Sequence, residues 1–206
     1  MVDHILRQPK ERVLTPVAYH VGRIVSPTTI TLVSFGFGLL AAWLAWRGWF
    51  GWALGVWLLN RTIDGLDGTV ARVHNLQSDW GGYVDILLDT VIYALIPTAI
   101  VLHDPTSAKF VALVVMLASF YINSISWSYL AAILEKRHAG AKNRGEMTSI
   151  TMPTGLIEGT ETVLFFSVFL LMPAHIVWLY WLMVALVAIT IGQRLIWAKR
   201  AIGAQA

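Results

Sequence analysis

The chain contains the stretch Asp64-Gly65-Leu66-Asp67-Gly68-Thr69-Val70-Ala71-Arg72 and, eight residues later, Gly81-Gly82-Tyr83-Val84-Asp85-Ile86-Leu87-Leu88-Asp89. Residues three and four apart share a helix face, so Asp64, Asp67, Gly68 and Ala71 form one stripe and Gly81, Asp85 and Asp89 another. Only His74 to Trp80 separates them, which predicts two neighbouring antiparallel helices with Ser78 or Asp79 capping the second. The two acidic stripes are then expected to face each other.

Those four carboxylates stand in a chain of 206 residues that is 57% hydrophobic and only 13% charged. Soluble domains carry roughly 25% charged residues, so this composition belongs to a polytopic membrane protein. Runs of about 20 apolar residues suffice to span a bilayer. Six are expected: Pro27 to Trp46, Trp49 to Val73, Gly81 to Leu102, Phe110 to Leu134, Gly155 to Met172, and His175 to Trp197. Trp43, Trp46, Trp49, Trp52, Trp178 and Trp181 mark their ends as interfacial belts. The fold class is therefore all-α, and one domain covers residues 1–206, with the six-helix bundle at 27–200.

If the six spans alternate, thirteen of the fifteen Lys and Arg fall on the side of the termini, leaving Arg47 and Lys109 opposite. The positive-inside rule then places both termini, and the acidic ends of spans two and three, in the cytoplasm. Residues 1–25 precede the first span. From His4 to Val25 they mix Ile5, Leu6, Val13, Leu14, Val17 and Val21 with Arg7, Lys10, Arg12 and Arg23, as in an interfacial amphipathic helix on an anionic leaflet, although a basic tail that only fixes topology has the same composition. No cleavable signal peptide is expected. Cysteine is absent, which removes disulfides and thiolate sites. The net charge of +3 forms no stripe on a soluble face, so nucleic acid is not an expected partner.

An Asp near the centre of a membrane helix costs about 2.5–3.5 kcal/mol, and converging carboxylates raise one another's pKa, so Asp64, Asp67, Asp85 and Asp89 require cations. Hard oxygen donors without His or Cys suit Mg²⁺, Mn²⁺ or Ca²⁺, and paired ions are common in phosphoryl chemistry. Gly68 and Ala71 take bulk off the same face, while Arg72 offers a planar fork for phosphate. Individually, Gly68 and Ala71 suit helix packing and Arg72 a topology anchor. The six His show no helical pairing that a metal site would need.

With its fixed spacing of Asp64, Asp67-Gly68, Ala71-Arg72, Gly81, Asp85 and Asp89, the sequence resembles the CDP-alcohol phosphotransferase family without a departure from its signature. The resemblance implies a six-helix membrane enzyme of phospholipid synthesis, usually a homodimer, in which an alcohol hydroxyl displaces CMP from a CDP-linked donor. It implies two Mg²⁺ or Mn²⁺ ions bound by Asp64, Asp67 and Asp85, with Asp89 completing the metal site and acting as catalytic general base. Asp64, Gly68, Ala71, Arg72 and Gly81 would contact the nucleotide.

The signature leaves the substrates open. CDP-diacylglycerol with a small polar acceptor is the expected pairing, and CDP-choline or CDP-ethanolamine with diacylglycerol is the alternative. The resemblance implies an acceptor pocket near the fourth loop and fifth span, here Lys142, Arg144, Glu158 and Glu161. Two acids three residues apart favour an amine such as serine, unless they pair with Lys142, Arg144 or Arg61. Outside enzymes, a divalent-cation transporter also keeps acids in its spans, but it predicts discontinuous helices and inverted halves that this sequence does not show.

Overall fold

A computed structural model describes residues 14–138 and 155–203. Lys142, Arg144 and residues 1–13 of the expected interfacial helix lie outside the described residues. The described elements are all helical, and no strand occurs among them. A short helix at 14–21 precedes α1 (Pro27–Trp46), α2 (Phe50–Val73), α3 (Asp79–His103), α4 (Ser107–Lys136), α5 (Gly159–Leu171) and α6 (Ile176–Gly203).

Local chemistry explains the boundaries. Ser26 accepts a hydrogen bond from the Thr29 N–H and Pro27 occupies the first turn, so α1 starts there. Ser78 accepts from the Gly81 N–H, which starts α3 at Asp79, two residues before the apolar run. Thr106 likewise starts α4 at Ser107 by accepting from Lys109 N–H. At the end of α2 the chain turns through Asn75 at φ 55°, with Leu76 N–H bonded to Ala71 O and Asn75 N–H to Arg72 O. This is the Schellman stop, with asparagine tolerating the left-handed position.

Four helical stretches are long and apolar enough to cross a membrane: α1, α3, α4, and Pro173–Ile202, which contains most of α6. Two of the six expected spans fall short of that description. α2 has the length but is loaded with charge at its Asp64–Arg72 end, and α5 has only 13 residues. The fifth run is shorter because its first residues, 155–158, are spent on an irregular lead-in to the helix.

α1 packs along both α2 and α3, whereas α2 and α3 have little direct backbone approach to each other. The expected neighbours are thus held apart on one side by a third helix. Gly38 makes this possible: a Cβ there would lie 2.6 Å from Ile92 Cδ1 on α3 and 3.2 Å from Asn60 Nδ2 on α2. α4 packs on α6, and α5 reaches across to α2. The two groups meet at an aromatic core of Trp57, Tyr93, Phe120, Phe166, Phe169 and Tyr180. Trp57 is fully buried there and its indole N–H donates to Ser167 Oγ at 3.3 Å. Outside, Leu32, Leu39, Val111, Val114, Ile122, Ile125 and Leu164 are exposed, a distribution suited to lipid rather than water.

Candidate active site

α2 contributes Asp64 and Asp67, and α3 contributes Asp85 and Asp89. Because α1 wedges the two helices apart, Asp64, Asp85 and Asp89 line a narrow cleft, bounded also by Thr31, Ser34, Asn60 and Arg61, with Asp67 buried beside it. One carboxylate oxygen each from Asp64, Asp67 and Asp85 lies within 4.8 Å of the others. Oxygens bound to one ion can be separated by at most twice the metal–oxygen distance, about 4.2 Å for Mg²⁺ and about 5 Å for Ca²⁺. Three oxygens on one ion must all lie closer than that, so the trio could hold a hard divalent cation once its carboxylates draw together around it. Asp85 Oδ1 is buried and accepts no hydrogen bond from the protein, although the residue has other contacts.

Asp67 is the most enclosed of the trio, 7% exposed. Its Oδ2 accepts from Thr31 Oγ1 at 2.6 Å and its Oδ1 from the Gly68 N–H. Thr31 also lies 3.1 Å from Pro27 O, but a hydroxyl has one proton, and the shorter, charge-assisted bond to Asp67 takes it.

Asp89 stands apart from the trio. Arg61 grips it with both branches, Nη2 to Oδ1 at 2.8 Å and Nη1 to Oδ2 at 3.1 Å. The same Nη1 lies 3.5 Å from Asp64 Oδ2. Arg61 is itself fixed: Nε donates to Asn60 Oδ1 at 2.7 Å, Nη1 to Tyr93 OH at 3.2 Å, and the guanidinium carbon sits 4.7 Å from the Trp57 ring centre. Asn60 in turn donates to Ser34 O at 2.7 Å.

The other sequence candidates divide. Gly68 is bare under Arg72, whose Nη1 would lie 3.2 Å from a Cβ there, and Arg72 Nη2 donates to Thr69 Oγ1 at 3.3 Å. Ala71 supplies its carbonyl to the helix stop, and Gly81 lies in the first turn of α3 against Ser78. Glu158 and Glu161 form a capping box at the start of α5, and Glu158 Oε1 also accepts from Gly155 N–H at 2.8 Å. Each of the two carboxylates thus has a backbone partner besides its other contacts, and Arg61, offered as a partner for them, holds Asp89. Sequence reasoning missed Thr31 and the full role of Arg61. Arg61 shares the Asp64 face at three residues' spacing, a signal that could have found it. Thr31 lies 36 residues from Asp67 and gives no local signal.

A helical membrane protein whose cleft gathers carboxylates for a cation, beside glycine and arginine suited to a phosphate, defines a class of phosphate-handling integral membrane proteins. Residues 24–202 match the CDP-alcohol phosphatidyltransferase family, and the chain belongs to that family of enzymes. It is 38% identical over 151 residues to the inner membrane protein YnjF of Escherichia coli, covering 73% of this chain and 71% of that one. It is also 33% identical over 85 residues to the CDP-diacylglycerol–serine O-phosphatidyltransferase of Mycobacterium tuberculosis, 41% of this chain but 29% of that one. Among solved structures, the Mycobacterium tuberculosis phosphatidylinositol phosphate synthase PgsA1 with CDP-DAG bound superimposes with a TM-score of 0.71 at 19% identity, covering 91% of this chain and 94% of that one. The same synthase in complex with manganese and citrate gives 0.70 at 18% identity, covering 90% of this chain and 88% of that one. Those likenesses establish a shared fold.

Proposed function

We propose that this enzyme transfers the phosphatidyl group of CDP-diacylglycerol to the hydroxyl of a small polar alcohol, with release of CMP, at the cytoplasmic face of the membrane. The observation that carries this is the convergence of Asp64, Asp67 and Asp85 in a chain with the complete family signature. CDP-DAG and manganese bound to the related synthase support the same donor and metal type.

In this reading Asp64, Asp67, Asp85 and Asp89 hold two Mg²⁺ or Mn²⁺ ions. Ions held by these residues would supply positive charge to offset that of the diphosphate. Thr31 restrains Asp67 beside Asp64 and Asp85. Gly68 lets the nucleotide lie against the α2 backbone, Ala71 and Gly81 widen the same passage, and Arg72 hangs over Gly68 within reach of a phosphate oxygen. Asp89 takes the proton of the acceptor hydroxyl as its oxygen attacks the phosphorus distal to cytidine, and the bond from that phosphorus to the CMP oxygen breaks. Asp89 must come within about 2.6–3.2 Å of that hydroxyl to do so.

The remaining features of the reading are a homodimer, six spans that include α2 and α5, and an N-terminal interfacial helix of which 14–21 is the last turn or two. The acceptor stays a class, with an amine such as serine one candidate, since the capping-box bonds of Glu158 and Glu161 occur with or without an amine nearby. Lys142 and Arg144 are kept as acceptor-side candidates on charge alone.

The test is CMP release by the purified protein in detergent with Mg²⁺ or Mn²⁺. CDP-diacylglycerol would be assayed against serine, glycerol phosphate, inositol and inositol phosphate, and CDP-choline or CDP-ethanolamine against diacylglycerol. CDP-diacylglycerol with one small alcohol should give CMP, and Asp89→Asn should abolish turnover while CDP still binds with metal. Release only with diacylglycerol as acceptor would replace the donor, and full turnover by Asp89→Asn would remove Asp89 as base.

A further inference from the structure

Arg61 has five N–H donors in a rigid fork and cannot lose its charge in a protein. Its side chain is only 8% exposed, and three helices fix it: Asn60 and Trp57 on α2, Tyr93 and Asp89 on α3, and Ser34 on α1 through Asn60. Such a side chain is not a surface arm that happened to meet an acid.

Its position is specific. Nη1 lies 3.1 Å from Asp89 Oδ2 and 3.5 Å from Asp64 Oδ2, so the positive group stands where an ion bridging those two acids would stand. Both oxygens of Asp89 are engaged by the fork, and the close trio of ligand oxygens comprises Asp64, Asp67 and Asp85 without Asp89. A divalent ion approaching Asp89 must therefore share the carboxylate with a fixed guanidinium and suffer its repulsion in a poorly hydrated cleft.

We propose that Arg61 is the resident cation of this cleft: placed between Asp64 and Asp89, it competes with a divalent ion for Asp89, and its removal turns a weak ion site into a tight one. The trio then takes one ion readily, while Asp89 receives the second only against Arg61. Arg61 is accordingly a positioning residue that acts through Asp89. The inference rests on the reading of Asp89 as part of the metal site, and its test reads ion binding rather than turnover.

Mn²⁺ would be titrated into the purified protein in detergent without nucleotide, with free ion followed by its paramagnetic resonance signal. The wild type should bind one ion tightly and a second weakly. Arg61→Gln should tighten the second by about tenfold or more, the scale on which residues that orient metal ligands change affinity. Arg61→Lys keeps the charge without the fork and should lie between the two. The gain should vanish in the Arg61→Gln, Asp89→Asn double variant. Two equally tight ions in the wild type, an unchanged or weakened second ion in Arg61→Gln, or a gain that survives Asp89→Asn would each overturn the proposal. If Arg61→Gln does not fold, Arg61→Lys decides, and a second-ion affinity equal to wild type overturns it. Loss of CMP release with this binding pattern intact would sink the transferase reading alone.

Discussion

At the scale of single residues, the site depends on how each carboxylate is held. Asp67 is enclosed and receives the Thr31 hydroxyl at 2.6 Å, a bond between α1 and α2 that restrains the carboxylate beside Asp64 and Asp85. Thr31→Val keeps the shape of the side chain and removes the donor. Mn²⁺ affinity at the tight site should fall about tenfold, as for other residues that orient metal ligands. Unchanged affinity in the same titration would show that Asp67 needs no such restraint. The spacing of the acids was legible in the sequence because helical periodicity converts it directly into a shared face. The pairings across helices were not legible, since packing rather than any local pattern brings Thr31 to Asp67 and Arg61 to Asp89; only the Arg61–Asp64 spacing was local.

At the scale of elements, the cleft exists because α1 separates α2 from α3. Gly38 lets α1 sit against both, with Ile92 on one side and Asn60 on the other. A methyl group there meets Ile92 at 2.6 Å, and relieving such overpacking typically costs about 1–3 kcal/mol. Gly38→Ala should therefore lower the melting temperature in detergent and disturb the Asn60–Arg61–Asp89 chain of bonds, lowering turnover with it. Gly36→Ala, two residues away with nothing within 4 Å of its Cβ, should leave both unharmed. Equal behaviour of the two variants would remove the wedge from the account. The hydropathy pattern located α1 to α6, four of them long and apolar enough to span, and serine and threonine caps explain why α3 and α4 begin a turn or less before the apolar runs. What hydropathy could not show was that the second and third helices are kept apart. Short connections favour adjacency, and the wedge is contributed by a distant glycine.

At the scale of the whole molecule, the contacts sort the chain into two ends. His103 on α3 reaches Trp46 O at the end of α1, and Tyr180 near the start of α6 donates to Pro97 O on α3, which gathers the α1–α2, α3–α4 and α5–α6 connections at one end. Arg137 after α4 donates to Ile202 O near the end of α6, and Thr31 meets Asp67, which gathers the acids and the α2–α3 connection at the other. Thirteen of the fifteen Lys and Arg belong with that second end by sequence, so by the positive-inside rule it should face the cytoplasm. The chain has no cysteine, so single cysteines report sidedness without background. Gln77→Cys lies in the exposed α2–α3 connection and Ser107→Cys at the exposed start of α4. In intact cells an impermeant maleimide should label Ser107→Cys and spare Gln77→Cys. Lysis should expose both. Labelling of Gln77→Cys in intact cells would place the carboxylate cleft on the outer face and would overturn the orientation on which the proposed reaction depends.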